Sequence, residues 1–296
     1  MVNRLLASKL GRLAPVMVLS GMAGSVASSS SNNNTMTATA ATARMEPSQE
    51  QSPNLQRWCD RWNAGNIRWH KSTVDPTLEG HIASPAFSLP AAGARILVPL
   101  CGKTVDMAHL AEQKNIQQVV GVDGIRKALE EFAAEHANLR IVPVESTSKF
   151  EKLQSQPAAG SALSSSIVLL KGDFFDLDAE AAGGKFDVVW DRASLVAIQP
   201  ALRPAYVAVM ANVLEKGGKI LLSTYIRPDG DTTKGPPFSI DEDQVKLLYE
   251  SESWVESVKC IDSKSAIWAE PWYKAIFFYL RMGNVQEKIF IIQAKK

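Results

Sequence analysis

Apolar positions along the chain come in short solid runs, and the stretches between them carry helical spacing. Ile96-Leu97-Val98, bounded by Pro99 and Gly102, is too short and too apolar for an amphipathic helix; it suits a strand buried on both faces. Val105, Met107, Ala108 and Leu110, set among polar residues, predict a helix after it. A second run, Val119-Val120-Gly121-Val122, ends in Asp123, and Ile125, Leu129 and Phe132 predict a helix over 125–136. Further strands are predicted at Ile167–Leu170, Lys185–Arg192 and Lys219–Tyr225. A helix over Ala201–Leu214 separates the last two, with Gly217-Gly218 expected to cap its C-terminus. Two closing strands fall near 255–261 and 288–292, with Trp268 to Met282 between them.

The rest of the pattern is less regular. Leu55–Trp62 reads as a helix ended by Asn63-Ala64-Gly65-Asn66, and Ile67-Arg68-Trp69-His70 follows as an extended lead-in. Residues 71–94 read as a connection holding a short helix near 76–81. Residues 138–165 read as an irregular surface excursion with an extended piece at 140–144 and a break at 157–160. The mostly polar stretch 226–238, with Gly235-Pro236-Pro237, reads as a lid loop, and Ser239-Ile240-Asp241-Glu242 can start a helix. Strands alternating with helices give an α/β fold: a doubly wound, mainly parallel sheet. Two closing strands after the lid make seven.

Composition narrows the class. A net charge of +1 leaves no basic field for nucleic acid. No run of about 18 apolar residues appears, so no membrane span is expected. Cys59, Cys101 and Cys260 are too few and too scattered for a disulfide framework or a metal site. Residues 1–45 hold Arg4, Lys9, Arg12 and Arg44 but no acid, and Ser, Thr, Ala and Asn fill most of 25–43. That composition suits an organellar (mitochondrial or plastid) transit peptide; a signal peptide cleaved after Ala27, or a plain disordered extension of a cytoplasmic protein, fits the same residues. The expected division is a targeting or disordered extension over 1–50 and one catalytic domain over 51–296.

The candidate chemistry gathers at strand ends. Strand, tight turn at Leu100-Cys101-Gly102, helix, strand and Asp123 form the layout of a nucleotide-binding βαβ unit, whose acid takes ribose hydroxyls. Asp173-Phe174, just past a strand, can hold a base by accepting from its amino group and stacking; a turn-capping Asp explains the same residues. Asp191 and Arg192 lie at another strand's carboxyl end, where Arg192 faces a ligand or pairs with an acid. Trp58, Trp62 and Trp69 form either a packing staple or an aromatic cover for a flat or cationic ligand.

The blocks Trp58-x3-Trp62…Trp69-His70, Pro99–Lys103, Val120–Asp123, Asp173–Leu177, Trp190–Ile198 and Gly235–Phe238 together resemble the thiopurine S-methyltransferase family from about residue 55 onward. The resemblance implies a class I methyltransferase fold and S-adenosylmethionine as cofactor. It further implies transfer to a small aromatic or heterocyclic thiol or selenol, by a monomer. Carried over position by position, it implies cofactor contacts from Trp58, Trp62, Trp69, Leu100, Gly102, Asp123, Asp173, Phe174 and Arg192. Trp69 and Arg192 would also touch the acceptor, and Arg192 with Asp191 would be catalytic. Asp123 stands where the family usually has Glu, and Trp69 where many members have Phe. Rival readings are a nicotinamide oxidoreductase, disfavoured because G-x-G-x-x-G is absent, a non-catalytic binding module, and a methyltransferase of halide, thiocyanate, selenium or tellurium species.

Overall fold

A computed structural model describes residues 53–82, 89–90, 92–156, 165–265 and 285–296. The expectations for residues 1–50, for the break at 157–160 and for Trp268–Met282 fall outside the described residues. The elements are α1 (Pro53–Asn63), α2 (Pro76–Ile82), β1 (Ala94–Pro99), α3 (Asp106–Ala111), β2 (Ile116–Asp123) and α4 (Arg126–Glu135). Next come β3 (Ile141–Pro143), β4 (Glu151–Ser155), β5 (Ser166–Lys171), β6 (Phe186–Arg192) and α5 (Arg203–Val213). The described chain closes with β7 (Leu214–Ile226), α6 (Glu242–Tyr249), β8 (Val255–Ser265) and β9 (Gln286–Ala294).

The sheet runs β3-β4-β5-β2-β1-β6-β7-β9-β8. Strands β5, β2, β1, β6 and β7 are parallel, and β9 returns antiparallel to β7 with β8 outside it. The expected seven strands are therefore present, but the hairpin β3–β4 adds two more antiparallel to β5. The excursion read as irregular is in part sheet. Burial along β4 barely alternates, so its pairing rests on backbone hydrogen bonds that an apolar pattern does not announce.

Side chains alternate across the parallel strands, as pleating requires. Leu97, Val120, Val168, Val189 and Leu222 enter a core on the side of α5 and α6. Ile96, Val119, Leu169, Val188 and Leu221 enter the core on the side of α3 and α4. Burying each such side chain contributes about 1.5–3 kcal/mol, so both faces hold the sheet flat against its helices. Gly121 lets α3 approach β2: a Cβ there would lie 2.5 Å from Met107 Sδ and 2.8 Å from Cys101 Sγ. The glycines expected to cap α5 do not. The helix ends at Val213, Leu214 is already extended, and Gly217 and Gly218 lie inside β7. Gly217 takes φ +75°, and its N–H donates to the Lys295 carbonyl.

Candidate active site

At the carboxyl ends of β1, β2, β5, β6 and β7 lies an open cavity of about 1730 Å³. Its first wall is the turn after β1. Leu100 and Gly102 both take positive φ, at +43° and +54°. That curl aims the Gly102 N–H at Asp123 Oδ2, 2.8 Å away, while Ile125 N–H donates to Oδ1 at 2.8 Å. Burial pushes the Asp123 carboxyl up to about 6, against the downward pull of these two donors. A carboxylate oxygen has room for a further donor, so Asp123 remains able to accept from a ligand's hydroxyls. Gly102 is also fixed by space, since a Cβ there would sit 3.2 Å from the Trp62 ring.

The three tryptophans meet over this turn. Trp58 and Trp69 pack edge to face at 5.2 Å, and Trp62 and Trp69 at 6.2 Å. Trp62 is buried with Ile125 and Ala128, while all three indoles line the cavity. The staple and the cover are thus one structure. Asp173 is exposed at the rim, and its Oδ1 accepts from Phe175 N–H at 3.0 Å, so it caps a turn and faces the cavity as well. Phe174 is buried against Tyr206, ring centroids 4.9 Å apart, and reaches the cavity beside Phe175.

The far wall comes from β6 and β7. The Arg192 side chain is only 6% exposed. Its Nε lies 3.0 Å from Asp75 Oδ2, an ion pair too poorly aligned for a hydrogen bond, and its Nη1 donates to the Trp69 carbonyl at 3.1 Å. Nη2 is buried without a hydrogen-bond partner among the described residues. The neighbouring acids Asp75, Asp106 and Glu287, with Tyr225, hold the guanidinium firmly charged against its burial. Asp75 also receives Lys71 Nζ at 2.7 Å, and its own N–H donates to Asp106 Oδ1 at 2.9 Å. Asp106 Oδ2 accepts from Trp190 Nε1 at 2.9 Å.

Asp191 is a correction. It does not line the cavity: Oδ2 accepts from Tyr206 O–H at 2.8 Å and Oδ1 from Leu195 N–H at 3.1 Å, with no exposure. Burial pushes its carboxyl up to about 6. Strand pleating is the cause: Trp190 and Arg192 face the cavity, so the residue between them faces the core. Asp191 instead fixes the turn that follows, where Ala193 takes φ +63°. Cys101 is likewise packed; burial pushes its thiol far above the usual range, so it is no nucleophile.

Asp75, Asp106 and Tyr225 also belong to this site and carry no local signal; Asp75-Pro76 reads only as a turn. The lid loop returns to the site through Phe238 N–H, which donates to the Val196 carbonyl at 2.7 Å and leaves Pro236 and Pro237 on the cavity wall.

A sequence model of the family described as Thiopurine S-methyltransferase matches residues 53–274. The chain belongs to that family. Relatives named thiopurine S-methyltransferase include one from Legionella pneumophila, 36% identical over 202 residues, covering 68% of this chain and 83% of the relative. One from Bordetella petrii is 36% identical over 214 residues, covering 72% and 88%, and one from Oryctolagus cuniculus is 32% identical over 213, covering 71% and 80%. A solved Burkholderia thailandensis 1,6-didemethyltoxoflavin-N1-methyltransferase with bound S-adenosylhomocysteine is 16% identical, covers 82% of this chain and 87% of its own, and superposes with a TM-score of 0.50. That likeness speaks for the fold: a class I methyltransferase sheet. The protein is an S-adenosylmethionine-dependent methyltransferase acting on sulfur. No helix among the described residues is long and apolar enough to cross a membrane.

Proposed function

We propose that the enzyme methylates a small aromatic or heterocyclic thiol, of the thiopurine kind, held as its anion against Arg192. The observation that carries this reading is the buried Nη2 of Arg192, without a hydrogen-bond partner among the described residues, at the wall of the cavity that also contains Asp123 and Gly102. Such an N–H in a dry site favours an anionic acceptor by a charge-assisted hydrogen bond. Low-pKa aryl thiols ionise near neutrality and need no strong general base.

The cavity fits the cofactor. Asp123 would take its ribose hydroxyls, Asp173 and Phe174 its adenine, and the indoles and Leu100 its methionine end. When bound, S-adenosylmethionine supplies a methyl group already activated on a sulfonium. The chain's own task is then alignment. Arg192, pinned by Asp75 and the Trp69 carbonyl, orients the anion, and the tryptophans exclude water from the line of attack; such alignment supplies several kcal/mol.

A radiolabelled-methyl assay with thiopurine and thiophenol acceptors tests the reading. Turnover on either thiol is expected; cofactor binding with no turnover on any thiol or selenol would remove it. We also propose that residues 1–50 are an organellar transit peptide ahead of a single monomeric catalytic domain. The acid-free, basic composition of residues 1–45, rich in Ser and Ala, supports this, and N-terminal sequencing of the native protein with its sedimentation mass tests it.

A further inference from the structure

Three arginines line the same cavity and take no part in the wall around Arg192. Arg57 and Arg61 lie on α1, and Arg68 precedes Trp69. Arg57 and Arg68 are exposed and Arg61 is half-buried. The Arg61 guanidinium lies over the Trp58 ring, 5.2 Å from its centroid, so its position is set by the aromatic cover. Burial, then the neighbouring charges of Arg57 and Arg68, lower the Arg61 pKa. Among the described residues none of the three is ion-paired with a carboxylate. Asp60, the acid on the same helix, is taken up by Gln56 Nε2 at 2.9 Å. Like charges drawn together without a counter-charge repel, and the arrangement relaxes when an anion binds between them.

The contrast with the other cations of the cavity is sharp. Arg192 is matched by Asp75, Lys103 by Glu131 and Glu135, and Arg227 by Asp229. Only the rim arginines are unmatched among those four positions of charge. The cavity, at about 1730 Å³, exceeds the roughly 300–1,000 Å³ usual for a single small molecule, which leaves room for an acceptor beside the cofactor.

We propose that Arg57, Arg61 and Arg68 form an anion-binding collar at the cavity mouth. It receives a phosphate-like dianionic substituent of the acceptor while the acceptor's thiol lies at Arg192. Guanidinium forks suit the several oxygens of a phosphate better than a lone carboxylate would require. The proposal rests on the thiol-acceptor reading above and names the acceptor class within it.

The test compares 4-mercaptophenyl phosphate with thiophenol as acceptors, in wild type and in Arg57→Gln/Arg68→Gln. Wild type should prefer the phosphate by about tenfold in kcat/KM at low ionic strength, with the preference fading as salt screens it. In the double variant the ratio should fall toward one, through KM, while the Kd for S-adenosylmethionine stays within about twofold. Equal kcat/KM for both acceptors in wild type overturns the collar. A loss of cofactor affinity in the double variant with the acceptor ratio intact overturns it too, by assigning these arginines to the cofactor. If neither thiol is methylated, the thiol reading fails separately, and calorimetry of phenyl phosphate against the S-adenosylhomocysteine-loaded protein decides the collar. Saturable binding lost in the double variant upholds it, and no saturable binding overturns it.

Discussion

The two ends of the cavity are built by different means. At the tips of β1 and β2, backbone N–H groups converge on one acid, and the partners are close in sequence: Gly102 and Asp123 are 21 residues apart, Ile125 and Asp123 only 2. At the tips of β6 and β7, side chains are held by distant parts of the chain. Arg192 and Trp69 are 123 residues apart, and Trp190 and Asp106 are 84 apart. The first end is a local motif that a ligand completes. The second is a charge network that exists only once the whole sheet has closed.

This division can be broken by substitution. Asp123→Ala should weaken S-adenosylhomocysteine binding by about a hundredfold, the loss of two hydrogen bonds to a charged group, as read by calorimetry on protein that circular dichroism shows to be folded. Affinity within a few fold of wild type would remove Asp123 from the cofactor end. Arg192→Lys should lower kcat on a thiol by tenfold or more, because one compact ammonium cannot serve Asp75, the Trp69 carbonyl and the acceptor at once. Its cofactor Kd should move less than about fivefold. A cofactor loss as large as that of Asp123→Ala would show that the two ends are not separable.

Smaller effects sharpen the same contrast. Burial pushes the Asp123 carboxyl up to about 6, so it carries a proton more readily than an ordinary aspartate. If the ligand's hydroxyls donate to the ionised form, cofactor Kd should be flat above pH 6 and weaken by up to about tenfold per unit below it. Calorimetry from pH 5 to 8 should show that slope in wild type and not in Asp123→Asn. Tyr206→Phe removes the side-chain donor to Asp191 and should cost about 1–3 kcal/mol of stability in denaturant unfolding, since a buried acceptor loses a partner. The turn at Ala193 then loosens, so any change in activity should fall on the acceptor KM rather than on the cofactor Kd.

What the sequence showed follows the same line. The turn at Leu100–Gly102, the acid at 123 and the mainly parallel character of the sheet were legible, because solid apolar runs and a short spacing encode them locally. Asp191 was misplaced although the information was there: with Trp190 and Arg192 facing the cavity, strand pleating sends the residue between them to the other side. Asp75 and Asp106 could not be read at all. Their role comes from partners brought near by the folded sheet, and nothing in Asp75-Pro76 or in the start of α3 distinguishes them from ordinary turn and helix-start acids. Of the hairpin β3–β4, the extended piece at 140–144 was read and is β3, while β4 was missed because that polar strand is held by ladder bonds that composition does not encode.

One bond joins the two ends. Nη1 of Arg192 donates to the carbonyl of Trp69, so the indoles proposed to roof the donor are tethered to the group proposed to meet the acceptor. Raising that roof to exchange a spent donor strips a buried cation of an anchor. On the proposed roles, reloading and acceptor sensing would share a single hinge pin, and loosening one would loosen the other.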